Sequence, residues 1–373
     1  MSRRGTTENL EPLERTPFYD AHVASGARMA PFGGWDMPVQ YAGILDEARA
    51  VRSRAGMFDV SHMGRVDITG SGAAAFLGRV LSSGVSGLKV GRARYGVICN
   101  LEGGIIDDAI VYRLADDRFL LIPNAANADA VVEWISRWLR SDDRASIRVV
   151  TAELAMIALQ GPQAAAILPG LTPHDLSRLR PFRAVETVVM GAQALVARTG
   201  YTGEDGFEIV LTPGNAVRLW EMLLEKGATP CGLGARDVLR LEAGLALHGN
   251  DIDLSTNPYE AGLARFVDPD RADYVAGEAL RRIRDEGNER SFVGFNMVGR
   301  GIARQGHPIM DGSERIGTVT SGGVSPTLDI NIGMGYVPTG FSDPPTRFQI
   351  DVRGRLVDAE VTALPFYSRR RNA

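Results

Sequence analysis

The stretch from Ile105 to Tyr112, Ile-Ile-Asp-Asp-Ala-Ile-Val-Tyr, sets two adjacent carboxylates inside a run that otherwise reads as the middle of a buried strand. The run is β-branched and aromatic and is entered through Gly103 and Gly104, which predicts a strand after a turn. Strand side chains alternate, so Asp108 shares a face with Ile106, Ile110 and Tyr112, and Asp107 shares the other with Ile105, Ala109 and Val111. Neither face is polar. A carboxylate in such a place loses several kcal/mol of hydration unless it is paired, hydrogen-bonded or protonated, so the fold must supply a compensating partner.

A chain of 373 residues that is 45% apolar and 23% charged is globular, long enough for two or three domains. A net charge of −4 gives no electrostatic footprint for nucleic acid or an anionic membrane. Only Lys89 and Lys226 are lysines; no phosphate-binding G-x-x-x-x-G-K-[ST] loop occurs, and Lys226 reads as the cation ending a helix. Cys99 and Cys231 stand far apart and the five histidines lack ligand spacing, which argues against a metal site and for buried free thiols. The twin arginine near the N-terminus is followed by Glu8, Glu11 and Glu14, not by an apolar run. With no stretch of about 18 apolar residues, the expectation is a soluble, cytoplasmic protein.

Residues 16–285 mix strands and amphipathic helices, after a flexible extension over residues 1–15. The segments 105–114 and 118–124 flank the turn Ala115-Asp116-Asp117 and read as a β-hairpin. The following helix has Val131, Trp134, Ile135 and Trp138 at helical spacing as core anchors, with Asn127 placed to cap it. The polar stretch 281–291 breaks the composition. Beyond it, short apolar runs with turn signals at Asp311-Gly312, Gly322-Gly323 and Gly354 predict a small all-β barrel or sandwich over 291–373.

Several motifs carry two readings. Gly70-x-Gly72-x-x-Ala75 between a strand and a helix outlines a dinucleotide fingerprint, yet no acidic residue occurs between 68 and 101 to hold a ribose, which favours a plain tight turn. Residues 197–210, Ala-Arg-Thr-Gly-Tyr-Thr-Gly-Glu-Asp-Gly-Phe-Glu-Ile-Val, offer Tyr201 and Glu208 either as site residues or as a hairpin with a solvated Glu. Arg236 and Arg240, one helical turn apart, either grip an anion or pair with Asp237 and Glu242 on a wet face.

Taken together, Phe32–Tyr41, Gly56–Gly64, Gly103–Asp108, Asn124–Asn127, Leu159–Pro162, Arg198–Glu208, Gly232–Gly244 and Thr320–Leu328 occur in the order and spacing of one family. The chain resembles the T protein of the glycine cleavage system, the aminomethyltransferases, from about Thr16 to its C-terminus. The resemblance implies an α+β fold: a tetrahydrofolate-binding region of two interleaved α/β subdomains and a C-terminal small β-barrel around a central channel. It implies transfer of an aminomethyl carbon from the lipoyl arm of the H protein to tetrahydrofolate with release of ammonia, and no metal, flavin or nicotinamide.

By the same resemblance Asp108 acts on the folate, where a carboxylate near the reacting nitrogen stabilises positive charge and accepts a proton. Glu208 meets the N–H donors of the pterin edge as an acceptor-only side chain. Arg236 approaches the folate, Tyr95, Tyr112, Asn124 and Tyr201 line the channel, and Arg370 and Arg371 reach toward the glutamate tail. The family's frequent lysine ahead of Tyr95 is Arg92 or Arg94 here. Two relatives remain as alternatives. A folate-dependent demethylase of another methylated amine keeps most of the pocket; a folate-binding iron-sulfur assembly factor would carry K-G-C-Y-x-G-Q-E where this chain reads Arg-Thr-Gly-Tyr-Thr-Gly-Glu-Asp-Gly-Phe-Glu.

Overall fold

In the computed structural model, which describes residues 12–369, two sheets interleave along the chain before a third closes into a barrel. The first sheet is built from β3 (Gly56–Asp59), β9 (Ala155–Gln160), β10 (Ala184–Val189), β11 (Ala192–Ala197), β12 (Gly206–Leu211) and β13 (Thr229–Pro230), in the order β10-β11-β12-β9-β3-β13. Between β3 and β9 the chain leaves to form the second, from β4 (Val66–Thr69), β5 (Arg92–Cys99), β6 (Ile105–Ala115), β7 (Arg118–Ile122) and β8 (Ser146–Val149), in the order β5-β6-β7-β4-β8. A separate hairpin of β1 (Arg28–Phe32) and β2 (Trp35–Gln40) precedes both. Glu14, within the expected flexible extension, is already bonded to that hairpin at Gly34 and Asp36; residues 1–11 lie outside the described residues.

Helices cover the outer face of each sheet. On the first lie α1 (Tyr19–Ala24), α5 (Ala164–Ile167) and α6 (Pro213–Glu225). In α6, Ala216, Leu219, Trp220 and Leu223 recur at helical spacing and all are buried, with Pro213 opening the helix and Lys226 following it. On the second lie α3 (Ala73–Val80) and α4 (Ala128–Ser136). Val131 and Ile135 anchor α4; Trp134 and Trp138 are only partly buried and pack edge-to-face at 5.8 Å on its rim, a lesser role than helical spacing predicts. Gly70 and Gly72 form the tight β4–α3 turn because backbone crowds them: a Cβ on Gly72 would stand 1.5 Å from the Asp143 carbonyl oxygen. Between the two sheets, Phe58, Ala158, Leu195 and Val210 pack with Tyr112, Leu120 and Ile122, and α2 (Ile44–Ser53) and α7 (Leu233–Glu242) close that layer.

After α8 (Gly277–Glu286), the strands β14 (Arg290–Met297), β15 (Pro308–Asp311), β16 (Glu314–Ser325), β17 (Ile330–Pro338), β18 (Arg347–Val352) and β19 (Arg355–Thr362) close a barrel in the order β14-β17-β16-β15-β18-β19. Gly322 and Gly323, expected to mark a turn, lie inside β16. A Cβ on Gly322 would approach the Ala303 carbonyl oxygen to 2.5 Å, so the glycine makes room for a neighbouring backbone.

The barrel is tied to the rest through α7. Glu47 accepts from the Gly232 N–H at 2.8 Å and caps the start of this helix. At its far end Arg240 donates to Asp251 at 2.6 Å and to the Ser321 hydroxyl of β16 at 2.7 Å, while Thr320 and Ser321 both donate to Asp251. Glu242, fully buried, accepts from Arg52, Ser325 and Thr327. Removing one partner of a buried pair strands the other charge. Arg240→Ala is therefore expected to cost about 3 to 5 kcal/mol by urea denaturation, whereas Arg49→Ala, which breaks an exposed pair with Asp46, costs at most about 1 kcal/mol. Similar losses for the two would refute this account of how the barrel is held.

Candidate active site

From Asp107 onward the alternation expected of β6 holds: Ala109 and Val111 face the helices of the second sheet, and Ile110 and Tyr112 face the layer between the sheets. Ile106 departs from it: the pairing with β5 slips by one residue there, and Ile106 packs with Ala109 and Val111 and not with Ile110 and Tyr112. Asp107 is fully buried and accepts from the Asn124 backbone N–H at 2.8 Å, the Asn124 amide at 2.8 Å and the Asn127 amide at 3.2 Å. Asp108 accepts from the same Asn124 amide nitrogen at 2.8 Å and from the Tyr95 hydroxyl at 3.0 Å. One amide thus bridges two carboxylates. Asn127 does not cap α4; its side chain turns back to Asp107, the Ile106 carbonyl and His248.

These partners soften the burial without cancelling it. Asp108 is pushed up to about 6, first by burial and then by the Asp107 charge, and Asp107 also rises to about 6 through burial. Like charges this close titrate as a pair. Tyr95 is pushed well above the usual phenol range by burial and by Asp108, so it keeps its proton and donates. Its ring packs against Phe266 with centroids 4.6 Å apart.

A second group gathers where β6 meets the first sheet. Glu208, on β12, is 9% exposed, not solvated. Its Oε2 accepts from the Tyr112 hydroxyl at 3.2 Å and from Thr199, and among the described residues no donor reaches its Oε1. Gln160 fixes the loop that carries Thr199, donating to the Thr199 carbonyl at 3.1 Å and accepting from Thr202 at 2.9 Å.

The arginine pair of α7 divides its roles. Arg240 is consumed in the link to the barrel. Arg236 stacks 4.7 Å over the Tyr201 ring, burial lowers its pKa, and among the described residues its guanidinium donates no hydrogen bond. Tyr201 is not exposed; its hydroxyl donates to the Ala246 carbonyl. Arg94 donates to the Ser83 and Gly84 carbonyls at 3.1 and 2.9 Å. Arg370 and Arg371 lie outside the described residues.

The structure therefore brings Tyr95, Asp108 and Asn124 into one hydrogen-bonded group, Tyr112 and Glu208 into a second, and Tyr201 with Arg236 into a third. Sequence reasoning missed Thr199, His248 and the bridging part of Asn127, none of which has a spacing signal of its own. A hollow of about 400 Å³ lined by Tyr95, Phe266, Arg94 and Arg265 adjoins the first group. A larger cavity, about 750 Å³, lies between the 250–260 loop and the barrel and is lined by none of these seven residues, so volume alone does not locate the chemistry. Among the described residues no helix is long and apolar enough to cross a membrane, and no cluster of His, Cys, Asp and Glu is arranged to hold a metal. Cys99 and Cys231 are buried free thiols.

Two interleaved sheets followed by a six-stranded barrel define a two-part architecture, and each part has a counterpart. Residues 18–271 match the GCVT N-terminal domain, and residues 290–368 match the glycine cleavage T-protein C-terminal barrel domain. An aminomethyltransferase of Rubrobacter xylanophilus is 49% identical over 363 residues, covering 96% of each chain; one of Symbiobacterium thermophilum is 45% identical over 367 residues, covering 96% of this chain and 98% of the relative. The crystal structure of glycine cleavage system aminomethyltransferase T from Bartonella henselae superposes with a TM-score of 0.90 at 37% identity, covering 95% of this chain and 98% of that one. The chain belongs to the glycine cleavage T-protein family.

The raised carboxyls make a test of the site that needs no substrate. A group that binds its proton more tightly folded than unfolded contributes stability at low pH and loses that contribution as pH rises through its folded value. For Asp108 the window runs from the ordinary 3.8 to about 6. Asp108→Asn removes this dependence, so its stability relative to the unsubstituted protein should rise by about 1 to 3 kcal/mol between roughly pH 4 and pH 7, read from urea midpoints. A difference that stays constant across that range would show that Asp108 titrates normally.

Proposed function

We propose that the chain transfers the one-carbon unit of an aminomethyl group, carried on the lipoyl arm of the H protein, to tetrahydrofolate with release of ammonia, and that Asp108 handles the charge and the proton of this transfer. The observation that carries the reading is Asp108 itself. It is a carboxyl in the interlayer space, raised toward neutrality and held by Tyr95 and Asn124. A general base works best when its pKa lies near the operating pH, and in a buried site its charge acts strongly on a nearby developing cation.

Tetrahydrofolate fits the residues present. Glu208 keeps one oxygen unclaimed by protein donors, which suits the N–H edge of an amino-pyrimidinone, and the free guanidinium of Arg236 suits an acceptor or anionic group. When bound, the folate supplies the two nitrogens that receive the one-carbon unit. Two carbon–nitrogen bonds form to it, the carbon–sulfur bond and the carbon–ammonia bond break, and the two protons lost from folate nitrogen pass to ammonia and to the lipoyl sulfur. Asp108 accepts a proton on that path, while Tyr95 and Asn124 hold its oxygens in place. Asp107, turned away and held by the Asn124 N–H and the Asn124 and Asn127 amides, is the structural member of the pair. The companion proposals are a cytoplasmic protein, a tetrahydrofolate-binding region over 16–285 and a barrel domain over 291–373.

Two measurements test the reading. The first follows methylenetetrahydrofolate when enzyme and tetrahydrofolate are mixed with aminomethyl-loaded carrier, sarcosine or dimethylglycine. Turnover is expected from the loaded carrier alone, and turnover of a free methylated amine without it would move the chain to the demethylases. The second is calorimetric titration of Glu208→Gln with tetrahydrofolate. Loss of the charged acceptor should raise the dissociation constant about ten- to a hundredfold, and unchanged affinity would return Glu208 to a packing role.

A further inference from the structure

We infer that His248 is a positioning residue for the aspartate pair, acting through the Asn127 amide, and that this imidazole sets how far into the acid range Asp108 keeps its charge. The inference deepens the proposed function and rests on Asp108 being the working carboxylate.

His248 lies in the loop after α7, whose course is fixed on both sides. The Leu247 N–H donates to Asp251 at 2.9 Å, Tyr201 donates to the Ala246 carbonyl, and His248 bridges to Ile252. Its Nδ1 lies 2.7 Å and its Nε2 3.2 Å from the Asn127 amide nitrogen. That nitrogen has two hydrogens and three acceptors within reach: Nδ1 of His248, the Ile106 carbonyl at 3.1 Å and the Asp107 Oδ1 at 3.2 Å. A neutral imidazole with a free Nδ1 lone pair therefore draws one Asn127 hydrogen away from Asp107. A protonated ring cannot accept. It returns both Asn127 hydrogens to Asp107 and the Ile106 carbonyl, donates its own toward the Ile105 and Ile106 carbonyls, and places a positive charge beside Asp108.

Each consequence favours the ionised pair, so protonation of His248 opposes protonation of Asp108. The groups facing the ring are Asp108 from β6, Asp253 from its own loop and the Asn127 amide; those facing Asp108 are Asp107, Tyr95, Asn124, Tyr201 and His248. His248 is thus the only group of the set that gains charge as the aspartates lose theirs. Burial keeps its pKa below the ordinary imidazole value, while the Asp108 charge pulls it back up.

The test is a carboxyl ¹³C NMR titration of the full chain, with Asp108 assigned by its absence in Asp108→Asn, run beside the pH dependence of turnover from loaded carrier. His248→Gln keeps an amide that can meet Asn127 but cannot become charged. It is expected to raise the apparent pKa of Asp108 by about half a unit and to move the acid limb of turnover upward with it. His248→Ala should do the same and, by freeing Asn127, also broaden the Asp107 resonance. Titration curves for Asp108 that superimpose on the unsubstituted protein in both variants would overturn the inference. A shifted carboxyl titration with an unmoved turnover limb would uphold the coupling and count against Asp108 as the working group.

Discussion

Two carboxylates on consecutive residues of a buried strand are held together by one side chain, Asn124, whose amide donates to each. The strand period sends Asp107 toward the helices and Asp108 toward the interlayer space, and the turn that ends β7 delivers Asn124 to the point between them. Asp107 then holds the start of the α4 segment to β6 through the Asn124 N–H and Asn127, while Asp108 keeps one oxygen for Tyr95 and faces the site. The same contact that makes the buried charge tolerable therefore also orients the Asp108 carboxyl. Its incomplete compensation, visible in the raised pKa of both acids, is a strain that the large cores on either side of the sheet can carry.

Helix α7 plays the complementary part. Its start is fixed by Glu47, its first turn sends Arg236 over Tyr201 into the site, and its end commits Arg240 and Glu242 to the barrel. A single ten-residue helix thereby couples the seating of the barrel to the position of the Arg236 guanidinium. Arg52 extends the link: it donates to Glu242 and Glu204 and lies 4.0 Å over the Tyr367 ring, which follows the last barrel strand.

Much of this was legible in the sequence wherever a local period carries the information. Alternation placed Asp107 and Asp108 on opposite faces, the hairpin around Asp116-Asp117 appeared as expected, and the density of short strands announced the barrel. What escaped depends on contacts between distant segments. Asn127 has every local mark of a helix cap, yet the deeper need of a buried carboxylate takes its amide instead. Gly322-Gly323 resembles a turn because glycine has two uses, and here it accommodates the Ala303 backbone. The choice between Arg236 and Arg240 could not be made from helical spacing, since it turns on Asp251 and Ser321, one of them in the other domain. The family resemblance named Asp108 and Glu208, but only the geometry separates the oxygens that protein donors occupy from the one that remains free.

The proposed transfer rests on Asp108 and not on its neighbour. Single-turnover ammonia release with saturating tetrahydrofolate and loaded carrier measures it most directly, comparing Asp108→Asn with Asp107→Asn while calorimetry follows folate affinity in each. The rate is expected to fall at least about 100-fold for Asp108→Asn with folate still bound, the scale of losing a proton-transfer group, and far less for Asp107→Asn. Equal losses at the two positions, or a near-normal rate for Asp108→Asn, would contradict it.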